Sequence, residues 1–162
     1  MTAVRLCFVC LGNICRSPTA AGVMSHHLQR EALDGHVEVD SAGTAAYHVG
    51  EPPDERAQEE ARRRGISLDG TARAFTAEDL DHFDLVLAMD RGNLDDLLAL
   101  AATPEHREKI RLLREFDPAS GAGAEVPDPY YGGDRGFSDV FDLVDAACRR
   151  LVGHLREEHG LR

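Results

Sequence analysis

An α/β fold, a doubly wound sandwich of three layers around a four-stranded parallel sheet, is what this sequence predicts. Two features lead there. Apolar runs of strand length alternate with longer stretches of helical periodicity. The 162 residues, 43% of them apolar, are enough to bury the core of one domain and too few for two comfortable ones. Strands that alternate with helices pair in parallel through right-handed crossovers, which places helices on both faces of the sheet.

Val4 to Val9 is an apolar run followed by the pair Gly12-Asn13 and reads as a buried strand and turn. Pro18 fits the first turn of a helix, where its missing N–H is not needed, and Ala20, Val23, Met24 and Leu28 carry that helix to about Leu33. Val37 to Ser41 alternates as a second strand, and Asp54 to Arg64 is a charged helix stopped by Gly65. Asp84 to Met89 is the third strand, after which Asp90 can cap a helix running through Leu94, Leu97 and Leu98. Ile110 to Leu113 is a short fourth strand. A Gly/Pro/Asp-rich loop from Glu115 to Gly136 is too long for a simple connector, so a functional loop is expected there. A helix from about Phe137 to Glu158 closes the chain, with Phe141, Leu143, Val144, Ala147, Cys148, Leu151 and Leu155 mostly on one face. The expectation is one domain over residues 1–162, with the strand order 2-1-3-4 of flavodoxin-like sheets. In such sheets ligands bind beyond the carboxyl ends of the strands, so the loops after the first and fourth strands can face one site.

A formal net charge of −11 makes the broad surface repel nucleic acid and anionic lipid, so any anion must be held by a local positive site. No apolar stretch approaches the roughly 20 residues of a membrane helix, and no secretion signal opens the sequence; a cytoplasmic protein without membrane attachment is expected. The four cysteines, at 7, 10, 15 and 148, are therefore not read as a disulfide framework. Cys10 and Cys15 are followed only by His26 and His27 on a helix, which is not zinc-ligand spacing, so neither a metal nor a cofactor is expected.

Residues 10 to 17 read Cys-Leu-Gly-Asn-Ile-Cys-Arg-Ser. A bare Cys-x5-Arg says little; a strand before it, a helix after it and Gly-Asn at the bend say more. Successive N–H groups of Leu11, Gly12, Asn13, Ile14, Cys15, Arg16 and Ser17 can then point inward as an anion-binding nest. Arg16 adds a planar fork for two phosphate oxygens, and Ser17 can donate its hydroxyl toward Cys10. A thiol at a helix N-terminus beside arginine can have its pKa lowered to about 3.5–7.5, which makes Cys10 the candidate nucleophile. Cys7 and Cys148 read as buried packing residues. Cys15 either packs or serves as a redox partner that forms a disulfide with an oxidised Cys10.

The strand, this Cys-Leu-Gly-Asn-Ile-Cys-Arg-Ser-Pro segment and a distant Asp128-Pro129-Tyr130-Tyr131 resemble the low-molecular-weight protein tyrosine phosphatase family, over essentially the whole chain and with the phosphate loop first and the acid loop last. Ser41-Ala42-Gly43-Thr44 and Met89-Asp90-Arg91-Gly92-Asn93 are further similarities. The resemblance implies a phosphocysteine intermediate on Cys10, phosphoryl binding by Arg16, a thiolate supported by Ser17, and a loop held in shape by Asn13 with Ser41. It also implies that Asp128 is the general acid and base, a role the chemistry requires in any case, because expelling an alkoxide or phenolate is easier when a carboxylic acid protonates it. Leu11, Tyr47, Tyr130 and Tyr131 could wall a slot deep enough to select phosphotyrosine, while Tyr47 reads equally well as packing. One departure is Gly70, which stands where many relatives carry a histidine that helps order the phosphate loop. His48 reads as a surface residue without a nameable partner.

Tyrosine-phosphorylated proteins are the expected partners of a monomer or weak dimer, and a kinase acting on Tyr130 or Tyr131 is a further candidate. Three other readings compete. An arginine-phosphate phosphatase of the same family typically carries threonine at the place of Ile14 and lacks the paired tyrosines. An arsenate reductase needs two more cysteines near the third strand, and Phe83 to Arg91 has none. A non-catalytic phosphotyrosine-binding module would be expected to lose the nucleophile or the acid, and both are present.

Overall fold

The structure, a computed structural model, describes residues 4–130 and 136–161. Four parallel strands, β1 (Val4–Cys10), β2 (Val37–Gly43), β3 (Leu85–Ala88) and β4 (Ile110–Leu112), form one sheet in the order β2-β1-β3-β4. The helices are α1 (Arg16–Arg30), α2 (Glu55–Arg63), α3 (Asp79–His82), α4 (Arg91–Leu100), α5 (Pro104–Lys109) and α6 (Gly136–His159). Side chains alternate across β1, so Leu6, Phe8 and Cys10 join α1 and α6 in one core while Cys7 and Val9 join Leu80, Phe83 and Leu97 in the other. Both faces are covered, which is why β1 and β3 read as continuous apolar runs.

The element boundaries have local causes. Helix α1 stops at Arg30, three residues short of the expected Leu33, because Ala32 takes a left-handed conformation (φ 57°). The N–H of Leu33 then bonds the carbonyl of Leu28 at 2.8 Å and that of Ala32 bonds Gln29 at 3.2 Å, a Schellman closure built on alanine rather than glycine. Asp54 caps α2 through the Arg56 N–H at 2.8 Å. Asp90 caps α4 in a reciprocal box with Asn93. Helices α3 and α5 were not expected; four and six residues are too short to show a helical period. The fourth strand ends at Leu112, one residue short of the expected Leu113, because a 3-10 turn, Leu113–Phe116, begins there, and a second, Pro118–Ser120, lies in the expected Glu115–Gly136 loop. Among the described residues no helix is long and apolar enough to cross a membrane.

Because the strands are parallel, their carboxyl ends share one edge. The chain departs from β1 to opposite sides, toward β2 and toward β3, and the crevice at that switch point is where the β1–α1 loop lies.

Candidate active site

Residues 10 to 15 turn from the end of β1 into α1 and wrap a cavity of about 290 Å³ lined by Cys10, Leu11, Gly12, Ile14, Cys15, Arg16, Tyr47, His48, Asp128 and Tyr130. Two neighbours brace the turn. The Thr44 N–H bonds the Cys10 carbonyl and the Ala45 N–H the Leu11 carbonyl, both at 2.9 Å, so the segment after β2 runs hard against the loop. Only glycine fits at position 43, since a Cβ there would lie 2.7 Å from the Leu11 oxygen. From the other side, the Asp54 N–H bonds the Ile14 carbonyl at 2.8 Å.

Asn13 fixes the bend from within. It is 3% exposed and sits at φ 57°. Its Nδ2 donates to Ser17 Oγ (2.8 Å) and Ser41 Oγ (3.0 Å), and its Oδ1 accepts from the Arg73 N–H (3.0 Å). The asparagine carbonyl is thus held by backbone from the segment after α2. Gly70 adopts φ +85° in open space and contributes no side chain.

The sulfur of Cys10 accepts from the Asn13 N–H at 3.3 Å and stands 3.0 Å from Ser17 Oγ. The Ser17 hydroxyl already accepts from Asn13, which leaves its own proton for the sulfur or for the Ala42 carbonyl at 3.3 Å. The Asn13 N–H and the Ser17 hydroxyl can therefore both donate to the sulfur. Asn13 and Ser17 lie behind the cavity rather than on its wall, and the Asn13 N–H is spent on sulfur. The first-turn amides of α1 have no intrahelical acceptor, so the helix opens its positive end on the cavity.

Arg16 is 3% exposed. Its Nη1 donates to Asp90 Oδ2 at 2.6 Å and to the Val126 carbonyl at 3.1 Å, and its Nη2 lies 3.6 Å from Asp128 Oδ2. Asp90 therefore works twice, capping α4 with one oxygen and anchoring the guanidinium with the other. Asp128 is 40% exposed at the cavity mouth; its Oδ1 accepts from the Tyr130 N–H at 3.0 Å. Leu11, Tyr47 and Tyr130 line the cavity with exposures of 40%, 75% and 37%, so Tyr47 is a wall on the rim and not a packed side chain. Tyr131 lies outside the described residues.

The thiol of Cys15 is pushed up to about 12, first by burial and then by the charge of Asp54. Burial likewise raises Cys7 and Cys148, both free thiols in the core. Three residues near the site were not assigned from sequence. Asp90 reads from sequence as a helix cap inside the Met89-Asp90-Arg91-Gly92-Asn93 similarity, with no partner assigned to its second oxygen. Arg56 was part of a charged helix. His48 does have a partner: its Nδ1 is 3.0 Å from Glu51 Oε2, and its ring lines the cavity 6.3 Å from that of Tyr130. Its position at the carboxyl edge, one loop beyond β2, was the available signal.

Residues 5–161 match the family of low molecular weight phosphotyrosine protein phosphatases. The low molecular weight protein-tyrosine-phosphatase of Streptomyces coelicolor is 44% identical over 95% of this chain and 94% of its own length. A crystal structure of a protein tyrosine phosphatase from Entamoeba histolytica, with Hepes in its active site, superposes with a TM-score of 0.90 at 40% identity, covering 95% of this chain and 97% of that one. An arginine phosphatase from Drosophila is similar with a TM-score of 0.86 at 31% identity, over 94% and 98% of the two chains.

Proposed function

Since the chain belongs to the low molecular weight phosphotyrosine protein phosphatase family, whose members are hydrolases, we propose that it removes phosphate from tyrosine in proteins through a phosphocysteine on Cys10. The observation that carries this is the convergence of a hydrogen-bonded sulfur, a buried guanidinium and a carboxyl group on one cavity. The loop amides and Arg16 hold the three non-bridging oxygens. The Cys10 thiolate attacks phosphorus, the S–P bond forms as the P–O bond to the tyrosine breaks, and the electron pair leaves with the phenolic oxygen. Asp128, protonated, supplies the proton that makes the leaving group a phenol. Water then attacks phosphorus, Asp128 takes a proton from it, the P–S bond breaks, and phosphate departs as the thiolate is restored.

At about 290 Å³ the cavity lies at the lower end of ligand-site sizes, roughly 300–1,000 Å³. Leu11, Ile14, Tyr47 and Tyr130 present apolar surface to an aromatic ring. This favours phosphotyrosine over phosphoserine, whose phosphate stands closer to its backbone, and over a phosphorylated guanidinium, which would meet few polar partners on those walls. The test is a side-by-side assay on phosphotyrosine, phosphoserine and phosphoarginine peptides, with chelator present. The phosphotyrosine peptide is cleaved fastest, and Cys10→Ser abolishes turnover. Preferred cleavage of phosphoarginine would install the second reading, and full activity of Cys10→Ser would remove the mechanism.

The exposed Tyr130 is also open to a kinase, its sequence neighbour Tyr131 is a second candidate acceptor, and the enzyme acts as a monomer or weak dimer in the cytoplasm. Intact mass of protein from its native cells without added phosphate counts against the modification.

A further inference from the structure

We propose that Arg56 is a positioning residue for Asp128, a tie from the start of α2 that sets where the acid stands and thereby how well the enzyme expels poor leaving groups. The inference rests on the general-acid role given to Asp128 above. The Arg56 guanidinium closes a fork on Asp54, with Nε 3.1 Å from Oδ1 and Nη2 3.0 Å from Oδ2. Its remaining nitrogen, Nη1, donates to the Tyr130 carbonyl at 3.2 Å. Its Cζ also stands over two rings, 5.2 Å from the centroid of Tyr130 and 4.8 Å from that of Phe137.

Tyr130 is the link. Its carbonyl is held by Arg56, and its N–H is the donor that fixes Asp128 Oδ1 at 3.0 Å. Orienting Oδ1 leaves Oδ2 turned toward Arg16, 3.6 Å from its Nη2, on the cavity that both residues line. At the other end, Asp54 is itself anchored to the phosphate loop, its N–H on the Ile14 carbonyl at 2.8 Å. One side chain thus ties the phosphate loop, through Asp54, to the acid, through Tyr130. A proton donor gains its effect from being placed within hydrogen-bond reach of the leaving atom, and displacements near 1 Å can cost about 10²-fold. Arg56 is not among the residues that line the cavity, so its removal should act through Asp128 and the Tyr130 wall. The fork also explains the choice of arginine, since lysine cannot hold two carboxylate oxygens and a carbonyl in one plane.

The experiment measures kcat/KM for a phosphotyrosine peptide, whose leaving group needs a proton, and for 4-nitrophenyl phosphate, whose leaving group needs little. Arg56→Ala and Asp128→Ala are compared singly and together, and thermal melting of each variant establishes that it is folded. Arg56→Ala lowers kcat/KM about tenfold on the peptide and less than twofold on the activated ester. In the Asp128→Ala background it changes the peptide rate less than twofold, and Arg56→Lys falls between wild type and alanine. Equal losses on both substrates, or a full tenfold loss on top of Asp128→Ala, overturn the proposal; if Arg56→Ala does not fold, Arg56→Lys is judged by the same two comparisons. Asp128→Ala alone separates the two readings. Failure of that variant to discriminate between the substrates removes the acid itself, whereas discrimination by Asp128→Ala without any by Arg56→Ala removes only the tie.

Discussion

Replacing Asn13 by alanine removes three hydrogen bonds from the hinge of the phosphate loop while keeping the backbone where alanine resists going. The bonds to Ser17 Oγ (2.8 Å), Ser41 Oγ (3.0 Å) and the Arg73 N–H (3.0 Å) contribute about 1 kcal/mol each, roughly 3 kcal/mol together. Position 13 has φ 57°, and an alanine in that left-handed region adds about 1 kcal/mol of strain. The loss expected for Asn13→Ala is therefore about 4 kcal/mol, a large share of the stability of an ordinary domain. Asn13→Gly relieves the strain but raises the entropy of the unfolded chain, so it should be milder than Asn13→Ala by only about 0.5 kcal/mol. Urea unfolding followed by far-ultraviolet circular dichroism measures both variants. Both also lose activity, because the Asn13 N–H reaches sulfur only while the bend is kept. An Asn13→Ala protein within 1 kcal/mol of wild type would refute the reasoning, since the three bonds and the strain would then not be what holds the loop.

Gly43→Ala drives a methyl group to 2.7 Å from the Leu11 carbonyl, so kcat/KM should fall with a stability loss of about 1–3 kcal/mol; an unchanged enzyme would mean that β2 and the loop are not in close contact. Ala32→Gly relieves a left-handed alanine at the end of α1 and should stabilise the protein by about 0.5 kcal/mol, read as a rise in Tm, with activity unaffected. With burial holding Cys7, Cys15 and Cys148 as thiols, iodoacetate at pH 7 should carboxymethylate Cys10 alone and be blocked by inorganic phosphate; labelling of Cys15 first would contradict this. Burial opposes the charge of Asp54, but the Arg56 fork and N–H outweigh it and hold the carboxyl below the usual range. A depressed folded pKa contributes stability above the unfolded value, near 3.9, that is lost as the pH falls through the folded one, so Asp54→Asn should flatten the acid limb of unfolding below about pH 4. An unaltered limb would deny the pair any role in acid stability.

The sequence carries the sheet and the nucleophile's loop well, because both are local in origin. An apolar run, a Gly-Asn bend and a proline in the first turn of the next helix place Cys10 at a strand end, and the parallel crossovers determine which edge that is. What it does not carry is pairing between distant segments. Asp90 is legible as the cap of α4, but its second oxygen meets Arg16 only because β1 and β3 are neighbours. Arg56 looks like one charge among many on a surface helix, and its meeting with Tyr130 spans 74 positions of chain. His48 is a similar case, assigned a place on the surface by its isolation in sequence and brought to the cavity by the loop that also holds Tyr47. Gly70 is the converse: the sequence displays its missing side chain, but that a backbone N–H from Arg73 holds the Asn13 carbonyl is legible only in the fold.

The measurement that bears most directly on the mechanism is the capture of the covalent intermediate. Asp128→Ala, which the proposed role of Asp128 expects to hydrolyse the phosphoenzyme slowly, is mixed with 4-nitrophenyl phosphate, quenched within milliseconds, digested and mapped by mass spectrometry. The predicted result is a burst of nitrophenol approaching one equivalent, with phosphate on the peptide that carries Cys10. Turnover with no phosphate on that peptide, or with phosphate on another residue, would contradict the account.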